Sequence, residues 1–159
     1  MVKTIESIMS PQSIAVVGAT NRKGSVGLAV FENILTGGYQ GVLYPVNPKA
    51  RSVHSVKAYP RLTAIPEPVD MAVIIVPREV VPSIIEDAAE KGVKGVVVFT
   101  AGFKEVGGEG AELERRVTET ARKHGIRLVG PNCLGVINTV QRVALSANEA
   151  LETPELLPG

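Results

Sequence analysis

Lys49 and Arg51 follow an apolar run, Val42-Leu43-Tyr44-Pro45-Val46, at the point where a strand would pass into a loop. An earlier apolar run, Ser13-Ile14-Ala15-Val16-Val17, leads into the glycine-bearing segment Gly18-Ala19-Thr20-Asn21-Arg22-Lys23-Gly24-Ser25-Val26-Gly27. A strand, a glycine loop and a helix start together make a cradle for an anion. Their unsatisfied backbone N–H groups and the helix dipole both favour negative charge. In dinucleotide sites an Asp or Glu about 20 residues further on accepts the ribose 2′-hydroxyl. Lys49 and Arg51 stand near that position instead, and a cation there favours a ligand with a phosphate on its ribose. Coenzyme A and NADP both fit. Arg22 and Lys23 add two cations to the same edge.

Taken singly, these signals are weak. The glycine loop departs from G-x-G-x-x-G, since Gly24 follows Gly18 at i+6, and such a loop also serves plain turn and helix packing. Isolated lysines and arginines are usually solvated charges. Cys133 follows a strand, but no His or Lys near it in sequence would activate it, so an inert packing thiol is expected. His124 suits the last turn of a helix, where a cation meets the dipole. His54 falls in a proline-rich connection and is expected to be exposed, while Glu105, Glu109, Glu112 and Glu114 read as loop and solvated-helix charges. No acid/base pair stands at the strand ends, so catalysis by this chain alone is not expected.

The elements that must position these residues alternate almost to the C-terminus. Ile14 to Val17 is a short buried strand. The next helix is expected to start near Ser25, bury Val26, Ala29, Val30 and Ile34, and end at Gly37-Gly38. Val42 to Val46 is the second strand, with Pro45 marking a missing ladder bond. A loop with at most short structure follows through Pro60, Pro66 and Pro68. Met71 to Val76 is a third strand, stopped by Pro77. Val80, Val81, Ile84, Ile85, Ala88 and Ala89 repeat at helical spacing up to Gly92. Gly95 to Phe99 is a fourth strand, Leu113, Val117 and Ala121 mark a further helix, and Ile126 to Val129 is a fifth strand. Strands apolar on both faces and joined by helices give an α/β fold: a Rossmann-like, doubly wound, mainly parallel sheet with helices on both faces. The expected division is a domain over residues 1–140 and a tail or linker start over 141–159, in which Ala144-Leu145-Ser146 could add a short strand or lie over the sheet.

In such a sheet the ligand lies beyond the carboxyl ends of the strands. Loops 18–27, 47–51, 77–79, 100–103 and 131–135 converge there, and their small residues allow close approach to the backbone.

Bulk properties exclude several function classes. The 159 residues are enough for one domain with its own core. A net charge of +1 gives no global field for nucleic acid or an anionic membrane, and 4% aromatics without Trp give no base-stacking surface. One cysteine and two distant histidines offer neither an internal disulfide nor a zinc site. The start at Met1 has no long apolar segment of the secretory type, and no apolar run is long enough to span a bilayer, so a cytoplasmic protein is expected.

Five ordered motifs carry a resemblance. They are Ile14-Ala15-Val16-Val17-Gly18-Ala19-Thr20 with Gly24-Ser25-Val26-Gly27; Tyr44 to Lys49; Val69 to Pro77; Thr100-Ala101-Gly102-Phe103; and Gly130-Pro131-Asn132-Cys133-Leu134-Gly135-Val136-Ile137-Asn138. Over roughly residues 5 to 140 the chain resembles the N-terminal CoA-binding domain of the NDP-forming acyl-CoA synthetases. It looks most like the ADP-forming acetate–CoA ligases and, more distantly, the α subunit of succinyl-CoA synthetase, whose glycine loop is shorter.

The resemblance implies that Gly18, Thr20, Lys23, Gly24, Ser25 and Val26 border the phosphate chain of coenzyme A, that Lys49 reaches a phosphate, and that Val76 and Pro77 flank the nucleotide. It further implies that Phe99, Thr100, Ala101 and Gly102 line the pantetheine path with backbone groups, with Asn132 and Cys133 toward the thioester end. Family members interconvert acyl-CoA, ADP and phosphate with free acid, CoA and ATP, through a phosphohistidine domain and an ATP-grasp domain. Neither His54 nor His124 stands in the phosphohistidine motif. ATP, ADP and Mg would therefore meet other domains or subunits, and acyl specificity would involve them too. Two other readings share the fold: an NADP- or NAD-binding domain of a reductase or redox regulator, and a non-catalytic CoA sensor or the CoA-binding domain of a protein acetyltransferase.

Overall fold

Five short apolar runs of the chain line up side by side as one parallel sheet. The computed structural model describes residues 5–146; of the tail expected over 141–159, residues 147–159 lie outside the described residues. In chain order the elements begin with a one-turn helix α1 (Glu6–Met9), β1 (Ser13–Val17), α2 (Val26–Thr36) and β2 (Val42–Val46). A two-stranded hairpin follows, β3 (Ser52–Val53) and β4 (Val56–Lys57), and then β5 (Met71–Ile74), α3 (Val81–Lys91) and β6 (Gly95–Val98). The chain continues with α4 (Gly108–Lys123), β7 (Arg127–Val129) and a second hairpin, β8 (Gly135–Asn138) and β9 (Val143–Ser146). The main sheet has the order β2-β1-β5-β6-β7, with every pairing parallel. Counting its own strands alone, this is the doubly wound order 2-1-3-4-5, whose switch point lies between the first and third strands.

Alternation along the strands divides the core in two. Ile14, Val16, Met71, Val73 and Val97 face a layer containing Ile8 of α1, Val30, Phe31 and Ile34 of α2, and Val143 and Leu145 of β9. Ala15, Val17, Ala72, Ile74, Val96 and Val98 face Val81, Ile85 and Ala88 of α3 and Val117 and Ala121 of α4. Each fully buried Leu, Ile or Phe contributes roughly 1.5–3 kcal/mol over an exposed one, and such residues line both faces without a break. That fixes the strand ends that carry the site.

The expectations differ from the structure in detail. Val26 is exposed, because it opens the first turn of α2 at the sheet's rim; Gly27, Val30, Phe31 and Ile34 form the buried stripe, with Ala29 half-buried. The third strand ends at Ile74 and the fourth at Val98, since the backbone turns into loops before the apolar residues stop; the fifth starts at Arg127, because Ile126 N–H still donates back to the Ala121 carbonyl of α4 at 2.8 Å. The stretch between β2 and β5 does hold only short structure, a hairpin and a 3₁₀ turn at Leu62–Ala64. Pro45 sits on an edge strand, where one missing donor is tolerated. The outer side of that edge is partly covered by Tyr59, whose N–H donates to the Pro45 carbonyl and whose carbonyl accepts from Asn47 N–H, each at 2.9 Å. Ala144 to Ser146 does form a strand, paired antiparallel with β8 rather than joined to the main sheet. Val143 and Leu145 are fully buried against the α2 layer, so the packed domain runs past residue 140 and includes this hairpin.

Candidate functional site

A cleft of about 750 Å³ opens over the carboxyl ends of β1 and β2, beside that of β5. Gly18, Thr20, Asn21 and Arg22 form one wall, Asn47, Lys49, Ala50, Arg51 and Ser52 the other, and Pro77 the end. Gly18 makes the approach possible: its φ is +99°, and a Cβ there would collide with the Ile75 carbonyl. Gly27 plays the matching part in α2, because a Cβ would strike the Gly18 carbonyl. The helix start is thereby drawn against the end of β1.

Ser25 caps α2. Its Oγ accepts from Leu28 N–H at 3.3 Å and donates to the Arg22 carbonyl at 2.7 Å. The amides of Val26 and Gly27 have no acceptor among the described residues and remain open donors at the positive end of the helix. The loop itself is held by side-chain amides. Asn47 Nδ2 donates to the Ala19 carbonyl at 2.8 Å while its Oδ1 accepts from Lys49 N–H at 2.9 Å, so one residue joins the first loop to the backbone of Lys49. Asn21 Nδ2 donates to the Ser52 carbonyl, and its Oδ1 accepts from His54 N–H, both at 3.0 Å. Arg22, Lys23, Lys49 and Arg51 are all exposed, and none has a carboxylate partner among the described residues. Four cations without counter-ions, beside open helix amides, suit a polyanion.

The ends of β5, β6 and β7 are built differently. Thr100 Oγ1 donates to the Val76 carbonyl at 2.7 Å, and Asn132 N–H donates to the Thr100 carbonyl at 3.0 Å. Arg78 Nη1 donates to the Gly102 carbonyl at 2.9 Å, and Gly102 N–H donates to Glu105 Oε1 at 2.6 Å. That bond holds the Glu105 carboxyl below its ordinary range. Phe99 spends its N–H on the Ile74 carbonyl and turns its ring into the core, leaving only backbone for a ligand. Ala101 is exposed and keeps its amide groups unbonded among the described residues. The Cys133 thiol is half-buried and donates to the Val98 carbonyl at 3.3 Å, and burial pushes its pKa up. A raised pKa leaves less thiolate at neutral pH, which fits a packing thiol rather than a nucleophile.

The structure therefore gathers the residues singled out in the sequence into two groups. Gly18, Thr20, Lys49 and Pro77 line the cleft, with Lys23, Gly24, Ser25 and Val26 along the loop and helix start beside it. Val76, Phe99, Thr100, Ala101, Gly102, Asn132 and Cys133 cluster over β5, β6 and β7. Sequence reasoning does not single out Asn21 and Asn47 as site residues, although they fall in loops expected to converge there, and Ser52 lies one residue past the second loop; an Asn ahead of a proline or within a glycine loop is a recognisable turn-former. It also took Glu105 and Glu114 for idle charges, whereas they accept from Gly102 and Lys104 N–H and fix that loop. His124 caps the end of α4, and His54 lies beside Glu32, its Nε2 2.9 Å from Oε1. Among the described residues no cluster of His, Cys, Asp and Glu could hold a metal ion, and no helix is long and apolar enough to cross a membrane.

Residues 12–139 match a family described as the CoA binding domain. The chain is 46% identical over 135 residues to the ADP-forming acetate–CoA ligase II of Archaeoglobus fulgidus, covering 85% of this chain and 20% of that protein. It is 39% identical over 160 residues to the α subunit of the ADP-forming acetate–CoA ligase I of Pyrococcus furiosus, covering 98% of this chain and 34% of the subunit. Among solved structures, the dinucleotide-forming acetyl-coenzyme A synthetase 1 of Ca. Korarchaeum cryptofilum, in complex with phosphate and ADP, superposes with a TM-score of 0.86. That match has 38% identity and covers 90% of this chain and 30% of that one. The chain thus spans about a fifth to a third of the length of these relatives.

Proposed function

The chain belongs to the CoA binding domain family, and from that premise we propose that it is the coenzyme A-holding part of an ADP-forming acyl-CoA synthetase. The observation that carries the reading is the cleft at the switch point, where Arg22, Lys49 and Arg51 stand without carboxylate partners among the described residues, beside the open amides of α2. Coenzyme A has a 3′-phosphate on its ribose and a diphosphate between nucleoside and pantetheine, and the residues present fit both. Lys49 and Arg51 would take the ribose phosphate. The amides of Val26 and Gly27, with Lys23, would meet the diphosphate, because a helix N-terminus and a flexible ammonium suit a charge spread over several oxygens.

From there the pantetheine arm would run over Val76 and Pro77 and along Thr100, Ala101 and Gly102. Ala101 offers unspent backbone groups for its amides, and the surface around it, whose Arg78 and Glu105 side chains are both engaged with Gly102, suits a largely uncharged chain. Asn132 and Cys133 would lie near the thiol end, with Cys133 as wall. Coenzyme A supplies the thiol that carries the acyl group; this chain's part is to bind, orient and neutralise it. Phosphoryl transfer, ATP or ADP, and Mg would belong to a phosphohistidine domain and an ATP-grasp domain elsewhere in the same enzyme. The greater length of the relatives is consistent with this reading, as are the places of His54 beside Glu32 and of His124 at the end of α4.

Calorimetric titration with CoA, dephospho-CoA, NADP and NAD tests the reading. Saturable CoA binding, weaker for dephospho-CoA, is expected. Binding of NADP or NAD without CoA would overturn it in favour of a reductase domain.

A further inference from the structure

The hairpin β3–β4 has a two-residue turn, His54-Ser55, with φ of 48° and 63°. Two left-handed residues are the mark of a type I′ turn, a place that Asn-Gly fills without strain. A serine there carries a conformational cost that a glycine would avoid, so something outside the turn must hold it. The base of the hairpin is anchored by the fully buried Val53 and by Ala58 N–H donating to the Arg51 carbonyl at 3.0 Å. Its tip is held from the glycine loop and α2. Asn21 uses both ends of its amide there, on the Ser52 carbonyl and the His54 N–H. His54 also stacks on Phe31, with ring centroids 6.2 Å apart, and reaches Glu32.

The position of this clip gives it a meaning beyond stability. Asn21 and Ser52 lie on opposite walls of the cleft, next in sequence to the cations Arg22 and Arg51. We propose that Asn21 is a positioning residue for ligand selectivity: by clipping the strained His54-Ser55 hairpin to the glycine loop, it sets the spacing of the two cation-bearing walls that recognise a phosphorylated ribose. This rests on the CoA reading above. Asn21 acts here through its bonds to the hairpin backbone, one at each end of its side-chain amide.

Three forms of the chain test this: unsubstituted, Asn21→Ala, and Asn21→Ala with Ser55→Gly, each titrated with CoA, dephospho-CoA and 4′-phosphopantetheine. Asn21→Ala is expected to reduce the preference for CoA over dephospho-CoA by about tenfold, the scale of two modest hydrogen bonds, and to leave 4′-phosphopantetheine binding unchanged. Ser55→Gly removes strain from the turn but does not re-tie the hairpin to the glycine loop, so the double variant is expected to keep the lowered preference. An unchanged preference in Asn21→Ala overturns the proposal, and so does full recovery with Ser55→Gly, which would make the turn's own strain, and not the tie between the walls, the cause of the loss. Equal weakening of all three ligands would also overturn it, as a merely structural effect. Hydrogen exchange on the ligand-free chain gives an arm independent of CoA. Faster exchange at residues 52–57 in Asn21→Ala, with the main sheet unaffected, is expected; no change there overturns the clip. If the unsubstituted chain binds no CoA, the CoA reading fails and takes this proposal with it, whereas failure in the variants alone leaves the CoA reading standing.

Discussion

The two ends of the ligand-facing edge solve different problems with different materials. Over β1 and β2 the side chains that tie the loops together are neutral amides, Asn21 and Asn47, and the cations beside them have no carboxylate partner among the described residues. Over β5, β6 and β7 the polar groups are largely consumed by one another: Thr100 by Val76, Arg78 and Glu105 by Gly102, Asn132 by Thr100, and Cys133 by Val98. An edge that leaves charges unpaired suits a charged group, and one that spends its polar groups internally suits shape and backbone complementarity. A ligand with phosphates at one end and a thin neutral arm at the other matches that division.

The largest effect should come from the residue both ends depend on. Gly18→Ala places a Cβ against the Ile75 carbonyl at a φ of +99°. A loss of about 2–4 kcal/mol in urea unfolding is expected, from strain and overpacking together; a neutral result would mean that the β1 and β5 loops can move apart freely.

Lys49→Ala sharpens the contrast at the charged end. CoA should weaken by about tenfold, ~1.4 kcal/mol, while dephospho-CoA changes little, as compared by calorimetry. Equal losses for both would move Lys49 to the diphosphate. Thr100→Val probes the neutral end by removing the bond to Val76. Stability should fall by about 1 kcal/mol, with CoA and dephospho-CoA weakened alike; a selective loss of CoA would break the division between the two ends.

The smallest effect concerns Cys133. Because burial raises its pKa, the thiol should alkylate slowly near neutral pH and gain speed only above the ordinary thiol range. Mass-spectrometric timing with iodoacetamide would read this, and a rate equal to that of the unfolded chain would contradict it.

The sheet was legible because its strands are continuous apolar runs such as Met71 to Ile74, and α3 because Val81, Ile85 and Ala88 recur at helical spacing. The charged end was legible for the same reason: Lys49 follows directly from a strand end, so sequence position translates into place. Val26 was misplaced because apolar character alone does not say which side of the first turn faces solvent. The β8–β9 hairpin was only half seen, since Val143 and Leu145 bury against α2, more than 100 residues away in sequence. Asn21 stayed hidden because its importance lies in two backbone partners, Ser52 and His54, that no local pattern connects to it.

A crystal structure of the chain with CoA bound tests the central claim most directly. The account predicts the ribose phosphate within hydrogen-bond reach of Lys49 or Arg51, and the pantetheine arm along Thr100 to Gly102. A nucleotide end over Thr100 and Cys133, with the pantetheine at Lys49, would contradict it.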